Sequence, residues 1–131
     1  DFPAGKALDA LSREAAGKQS PFAVKTDGRH FSLSGMENKV KALVEAGEEP
    51  KEIARFVLDT LAGVLQRVTT DVQNEYPGLP VLCSGGVASN TRVRYVLTEF
   101  CQAVFSAPEY AADNAMGAAI LTYREWEAQY G

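Results

Sequence analysis

Val81-Leu82-Cys83-Ser84-Gly85-Gly86-Val87-Ala88-Ser89-Asn90 is the stretch that decides the fold. An apolar run ends in Ser84 and two glycines, and Val93, Val96, Leu97 and Phe100 then recur at helical spacing. The order is strand, glycine turn, helix. Ala103-Val104-Phe105 reads as a second short buried strand, so the spacing predicts a parallel pair with a right-handed crossover. Two glycines at the carboxyl end of a buried strand let backbone come close to a ligand and leave helix amides free to face an anion or nucleotide. They also suffice for a tight turn with no ligand. Residues 115–130 complete this half as a helix with Met116, Ala119, Ile120 and Tyr123 inward, while Trp126 and Tyr130 cover the core or a partner surface.

Upstream, residues 1–78 read as mainly helical. Residues 1–16 carry Leu8, Leu11 and Ala15 on one helix face, and Gly17 suits a left-handed end. Residues 18–29 have no period; Ser20-Pro21 and Asp27-Gly28 are turn chemistry leading into the strand-like alternation His30-Phe31-Ser32-Leu33. Ser34 and Glu37 have capping-box spacing, Met36, Val40, Leu43 and Val44 form the stripe of the next helix, and Gly47 closes it. A longer helix starts near Pro50, with Ile53, Val57, Leu61, Leu65, Val68 and Val72 buried until Tyr76-Pro77-Gly78 breaks it. The expected class is α/β and helix-rich, with residues 1–78 mainly helical and 79–131 running strand, glycine turn, helix, strand, helix.

The 131 residues are the length of a single domain, and 46% apolar with 23% charged residues is the balance of a soluble globular chain. A net charge of −4 argues against a free-standing nucleic-acid binder, which needs a basic face. The start at Asp1-Phe2-Pro3-Ala4 carries no signal-peptide pattern and reads as an internal start, and no apolar stretch reaches membrane-spanning length. Cys83 and Cys101 form no CxxC pair and read as reduced thiols of a cytoplasmic protein.

The candidate site residues are few. Asp113, in Ala112-Asp113-Asn114-Ala115-Met116, suits either a helix cap or a cation ligand, and Asp9 alone reads as a solvated helix position. Arg92 and Arg94, beside the glycine turn, suit solvation or phosphate contact. His30 is the single histidine, so the chain cannot by itself supply a nitrogen and sulfur metal set or a catalytic triad, and neither a P-loop nor GxGxxG is present.

In order, these pieces resemble the C-terminal half of the tRNA threonylcarbamoyladenosine transferases, the TsaD/Gcp family, historically called O-sialoglycoprotein endopeptidases or glycoproteases. Asp1-Phe2-Pro3-Ala4-Gly5-Lys6-Ala7-Leu8-Asp9 is similar to the family's Asp-x-x-x-Gly-Glu-Ala-aromatic-Asp, and His30-Phe31-Ser32-Leu33-Ser34-Gly35-Met36 to its Asp-Phe-Ser-Phe-Ser-Gly-Leu. Gly85-Gly86-Val87-Ala88-Ser89-Asn90-Thr91-Arg92-Val93-Arg94 resembles Gly-Gly-Val-x-x-Asn-x-x-Leu-Arg, and Ala112 to Met116 resembles Thr-Asp-Asn-Ala-Ala-Met. Departures are Lys6 for an acidic residue, His30 for Asp, and Gly17-Lys18-Gln19-Ser20 near the place of the family's Pro-Gly-Gly-Pro.

The resemblance implies the actin-like ATPase fold, with this chain as its second RNase H-like domain plus a helical insert. By position, it implies that Asp9, Gly85, Gly86 and Asn90 bind an adenine nucleotide or threonylcarbamoyl-adenylate and that Asp113 ligates a divalent metal of the iron or zinc type. The other metal ligands would be two histidines of an H-x-x-x-H motif in a first domain of the same chain. The implied activity is threonylcarbamoyl transfer to a tRNA adenosine by the full-length protein, in the cytoplasm, with tRNA, that first domain and protein partners or a homodimer as its contacts. The fragment alone would be inactive. Alternatives are a noncatalytic paralogue serving as an interaction or dimerisation module, and, more weakly, a metallo-endopeptidase, for which no H-E-x-x-H motif is present.

Overall fold

The helix over residues 50–75 is enclosed on several sides along its first half, where buried and half-buried positions alternate from Lys51 to Ala62. The computed structural model describes residues 4–106 and 115–130, the side chains of 115–119 excepted. Its elements are α1 (Ala4–Arg13), β1 (Thr26–Asp27), β2 (His30–Phe31), α2 (Ser34–Glu45), α3 (Pro50–Glu75), β3 (Leu82–Cys83), α4 (Thr91–Cys101), β4 (Val104–Phe105) and α5 (Ala115–Tyr130). The class is helix-rich α/β with two small sheets: β1 and β2 form an antiparallel hairpin around Asp27-Gly28, and β3 and β4 pair in parallel.

Helix α3 is the axis, packed against α1, α2 and α4. Ala54, Phe56, Leu58, Ala62 and Val64 are buried, whereas Ile53, Val57, Leu61 and Leu65, the expected stripe, are half-buried. The stripe is therefore one flank of a helix enclosed on several sides, and spacing alone could not reveal the other flanks. Ala62 joins Val93, Val96, Leu97, Cys101 and Ala103 in one core cluster, against which Val81, Cys83 and Phe105 of the parallel pair also pack.

Two buried polar residues of α3 fasten the aperiodic segment 14–25 along that axis. Glu52 is 1% exposed, and its carboxylate accepts from the amides of Ala16 at 2.7 Å, Gly17 at 3.0 Å and Lys18 at 2.9 Å. Thr60 Oγ1 accepts from the Phe22 amide at 2.9 Å while donating to the Phe56 carbonyl at 2.8 Å. Further along, Arg67 Nη1 donates to the Val24 carbonyl at 3.3 Å. A loop with no ladder to satisfy its amides thereby finds acceptors on the helix it crosses. The Phe22 ring lies so close to Gly35 that a Cβ there would sit 2.8 Å from Cζ, which explains a glycine near the start of α2.

Several expectations are corrected. Helix α1 ends at Arg13, and Gly17, although at φ +76, belongs to the Glu52 clamp beyond it. Leu11 is exposed while Asp9 and Ser12 are buried, so the inward face of α1 is partly polar. No capping box forms: Ser34 lies inside α2 and bonds Ser32, and Glu37 pairs with Lys41 at 2.7 Å. Gly47 does close α2, with its amide on the Val44 carbonyl and that of Glu48 on Leu43, a left-handed C-terminal motif. Val44, Phe100, Ile120, Tyr123, Trp126 and Tyr130 are exposed. Exposed Trp126 and Tyr130 are not core cover; they lie in an aromatic row with Tyr123 on α5, with centroid spacings of 6.3 Å. The side chains of Met116 and Ala119 lie outside the described residues.

The amide of Lys18 leads the influences on Glu52, holding its carboxyl below the ordinary glutamate range against the opposing effect of burial, with the Ala16 and Gly17 amides adding to it. A depressed folded-state pKa contributes stability that is full above the unfolded value, about 4.3, and is lost as pH falls through the folded one. Glu52→Gln, which offers one acceptor for three donors, is expected to lower the urea midpoint clearly at neutral pH, and the gap from wild type should narrow as pH drops below about 4. A gap that is constant with pH contradicts the clamp.

Candidate functional site

The site begins where two sequence-distant residues meet. Asn90 is the N-cap of α4: its Oδ1 accepts from the amides of Arg92 at 3.0 Å and Val93 at 3.1 Å, the task for which Asn is favoured at this position. Its Nδ2 donates at 2.8 Å to Asp9 Oδ1, 81 residues earlier on α1. The same Oδ1 accepts from the Thr91 amide at 3.1 Å and the Thr91 hydroxyl at 2.6 Å, and Oδ2 pairs with Arg13 one turn along α1. Ser12 Oγ donates to the Asp9 carbonyl at 2.8 Å. Asp9 is 8% exposed. It is therefore no solvated helix position but the junction between α1 and α4.

The electrostatics follow from this geometry. Burial pushes the Asp9 carboxyl upward, but the Thr91 hydroxyl, Arg13 and the Thr91 amide together outweigh it and hold the group below the ordinary aspartate range. An anion at a helix N-terminus is also favoured by the aligned peptide dipoles. The amides of Thr91, Arg92 and Val93 are all taken by Asp9 and Asn90. The expectation of helix amides left free for an anion is thus corrected: side chains of this chain already fill that role at α4.

Gly85 and Gly86 lie in the turn between β3 and α4. Gly85 is at φ +97, a conformation that side chains rarely adopt, and the turn closes through the Ser89 amide on the Gly85 carbonyl at 3.1 Å. A Cβ at either glycine would meet no atom within 4 Å, so the backbone faces open space. The parallel pair continues beside it, with the Ser106 amide on the Cys83 carbonyl at 3.1 Å. Burial pushes the Cys83 thiol upward, with nearby Cys101 adding to it, and both cysteines are free.

Arg92 and Arg94 are both engaged internally. Arg92 pairs with Asp59, which Arg55 also holds at 2.7 Å, and Arg94 donates to the Ser106 carbonyl at 3.1 Å with its guanidinium 4.7 Å from the Phe105 ring. A groove of about 470 Å³ runs between residues 17–21, α3 and α4, lined by Lys18, Asp59, Gln66, Arg92 and Phe100 among others; Asp9, Gly85, Gly86 and Asn90 do not line it. Asp113 lies outside the described residues. Among the described residues no three His, Cys, Asp or Glu side chains gather as a metal site would require.

Sequence reading missed Thr91, Arg13, Glu52 and Asp59. Thr91 had the one available signal, its place directly after a capping Asn; the others depend on partners remote in sequence or, for Arg13, on knowing that Asp9 is buried. The junction generates a direct test. Asn90→Asp keeps a good cap but sets a second carboxylate against Asp9, so it should be less stable at neutral pH than Asn90→Ser and recover as pH falls and the pair takes up a proton. Asn90→Ala should cost about 2–3 kcal/mol, the sum of a lost cap and a lost bond to a charged group. Urea denaturation of the three variants checks this, and an Asn90→Asp protein as stable as wild type at neutral pH contradicts the 2.8 Å contact.

Comparison with known proteins adds the family. The chain is 28% identical over 96% of its length to a probable bifunctional tRNA threonylcarbamoyladenosine biosynthesis protein of Haloarcula marismortui, and 30% identical over 93% to one of Methanothermobacter thermautotrophicus. It is 29% identical over 95% of its length to a tRNA N6-adenosine threonylcarbamoyltransferase of Carboxydothermus hydrogenoformans. The chain spans 24% of the first two relatives and 40% of the third. The family model for TsaD, tRNA N6-adenosine threonylcarbamoyltransferase, matches residues 1–120. The chain belongs to the TsaD family of transferases.

Proposed function

We propose that this chain forms one wall of a nucleotide cleft in a protein that transfers a threonylcarbamoyl group to a tRNA adenosine. The observation that carries the reading is the contact of Asp9 with Asn90 beside the Gly85-Gly86 turn, which brings two distant segments of the family match into one place. Open space over both glycines supports close approach of a ligand to backbone. Asp9 and Asn90 would fix the nucleoside part of the ligand, and the glycines would line its seat. Ligands of open α/β sheets lie outside the carboxyl ends of the strands, where this turn sits.

The finer architecture is the second RNase H-like domain of the actin-like ATPase fold with its helical insert, residues 1–131 forming a single domain within a longer chain. Leu82 and Val104 are register partners on the parallel pair and are 73% and 60% exposed. Parallel sheets are ordinarily covered on both faces, which supports further polypeptide, such as a first domain of the same chain, as their cover. Asp113 would contribute a metal ligand, and the metal would supply Lewis-acid polarisation of the acyl group. The partners of the complete protein would be tRNA and that first domain, in the cytoplasm; no described helix is long and apolar enough to cross a membrane. A second reading, an interaction or dimerisation module, is favoured by the exposed row of Tyr123, Trp126 and Tyr130.

Gly86→Ala separates function from folding. Its φ is not in the left-handed region and a Cβ meets open space, so stability should stay within about 0.5 kcal/mol of wild type. In the full-length protein, adenine nucleotide binding measured by calorimetry should weaken by about fivefold or more, and transfer to tRNA should fall with it. Asp113→Ala should lose transfer by about tenfold or more. Wild-type transfer with both variants equally active contradicts the cleft reading, and a wild type without transfer leaves the noncatalytic interaction module as the better one.

A further inference from the structure

We infer that Arg13 competes with the ligand for Asp9, acting as an intramolecular stand-in that leaves when a nucleoside binds. The inference rests on the reading of Asp9 as a nucleoside contact and concerns which oxygen that contact uses. The two oxygens of Asp9 are held very differently. Oδ1 accepts from three donors fixed at the start of α4, namely Asn90 Nδ2, the Thr91 amide and the Thr91 hydroxyl. Oδ2 accepts, among the described residues, from Arg13 alone. The Arg13 side chain is 62% exposed and sits one helical turn along the same helix.

These differences decide which atom can exchange partners. Breaking the Oδ1 set would leave the Thr91 amide and Asn90 Nδ2 without that acceptor and separate α4 from α1, so that oxygen stays committed. Arg13 reaches a nearly buried carboxylate from the solvent side, its side chain 62% exposed against 11% for Asp9, so the exchangeable partner is the long, flexible arginine, which gives way to a better-placed pair of donors. A carboxylate oxygen is an acceptor only, so its replacement partner has to be a donor. The vicinal hydroxyls of a ribose are donors with no charge to repel Asp9. Oδ2 is therefore the atom that meets the sugar, and Arg13 raises the concentration of ligand needed to fill the site.

The test uses the full-length protein and neutral ligands, so that loss of the Arg13 charge does not act through phosphate. Adenosine and 2′,3′-dideoxyadenosine are titrated by calorimetry into wild type, Arg13→Ala and Arg13→Lys. The expected result is adenosine binding about twofold tighter or more in Arg13→Ala, at least the size of one ion pair between helix neighbours, with no gain for the dideoxy compound and near wild-type behaviour for Arg13→Lys. Adenosine binding that is unchanged or weaker in Arg13→Ala, or an equal gain for both compounds, overturns the competition while leaving nucleoside binding intact. Absence of binding in all three proteins overturns the nucleoside reading itself, and the competition with it.

Discussion

One buried carboxylate decides how the first helix of this chain meets the fourth. Asp9 gathers Asn90, the Thr91 amide and the Thr91 hydroxyl on a single oxygen, and each of those donors belongs to the first residues of α4. A charge so nearly enclosed is costly unless it is fully bonded, which makes the arrangement specific: another packing of α1 would leave the carboxylate, the cap and the Thr91 amide without partners. The diglycine turn runs directly into Asn90, so its position is fixed by the same contact.

A second constraint works in parallel. The segment between α1 and the β1–β2 hairpin has no ladder of its own, and α3 supplies its acceptors in order, Glu52 to residues 16–18 and Thr60 to Phe22. With Asp9 anchoring one end of the segment through α1 and Glu52 its start, the loop wall of the 470 Å³ groove is held against α3. Both anchors are carboxylates held below their ordinary range by bonds that outweigh burial, so both contributions to stability are complete near neutral pH and fade in acid.

The order of elements was legible because periodicity and punctuation are local. Apolar spacing gave each described helix, Gly47 gave the end of α2, and the run into Gly85-Gly86 gave the parallel pair. What failed was contextual. The spacing of Ile53, Val57 and Leu61 could not show that Ala54, Phe56 and Leu58 face other neighbours, and Ser34 with Glu37 matched a capping pattern whose donors were satisfied elsewhere. Asp9 looked solvated because its partners lie 81 residues away, and only the family resemblance marked it out. Glu52 left no local signal at all, since an acidic residue in the first turn of a helix is ordinary surface chemistry.

The central claim is that Asp9 is ionised and fully engaged at the head of α4. A pH titration of its carboxyl carbon by nuclear magnetic resonance addresses that directly, with the Thr91 amide followed in the same series. The account predicts a midpoint below the ordinary aspartate value of about 3.9, with the Thr91 amide signal moving through the same transition. A midpoint at or above that value, or a Thr91 amide indifferent to it, contradicts the account.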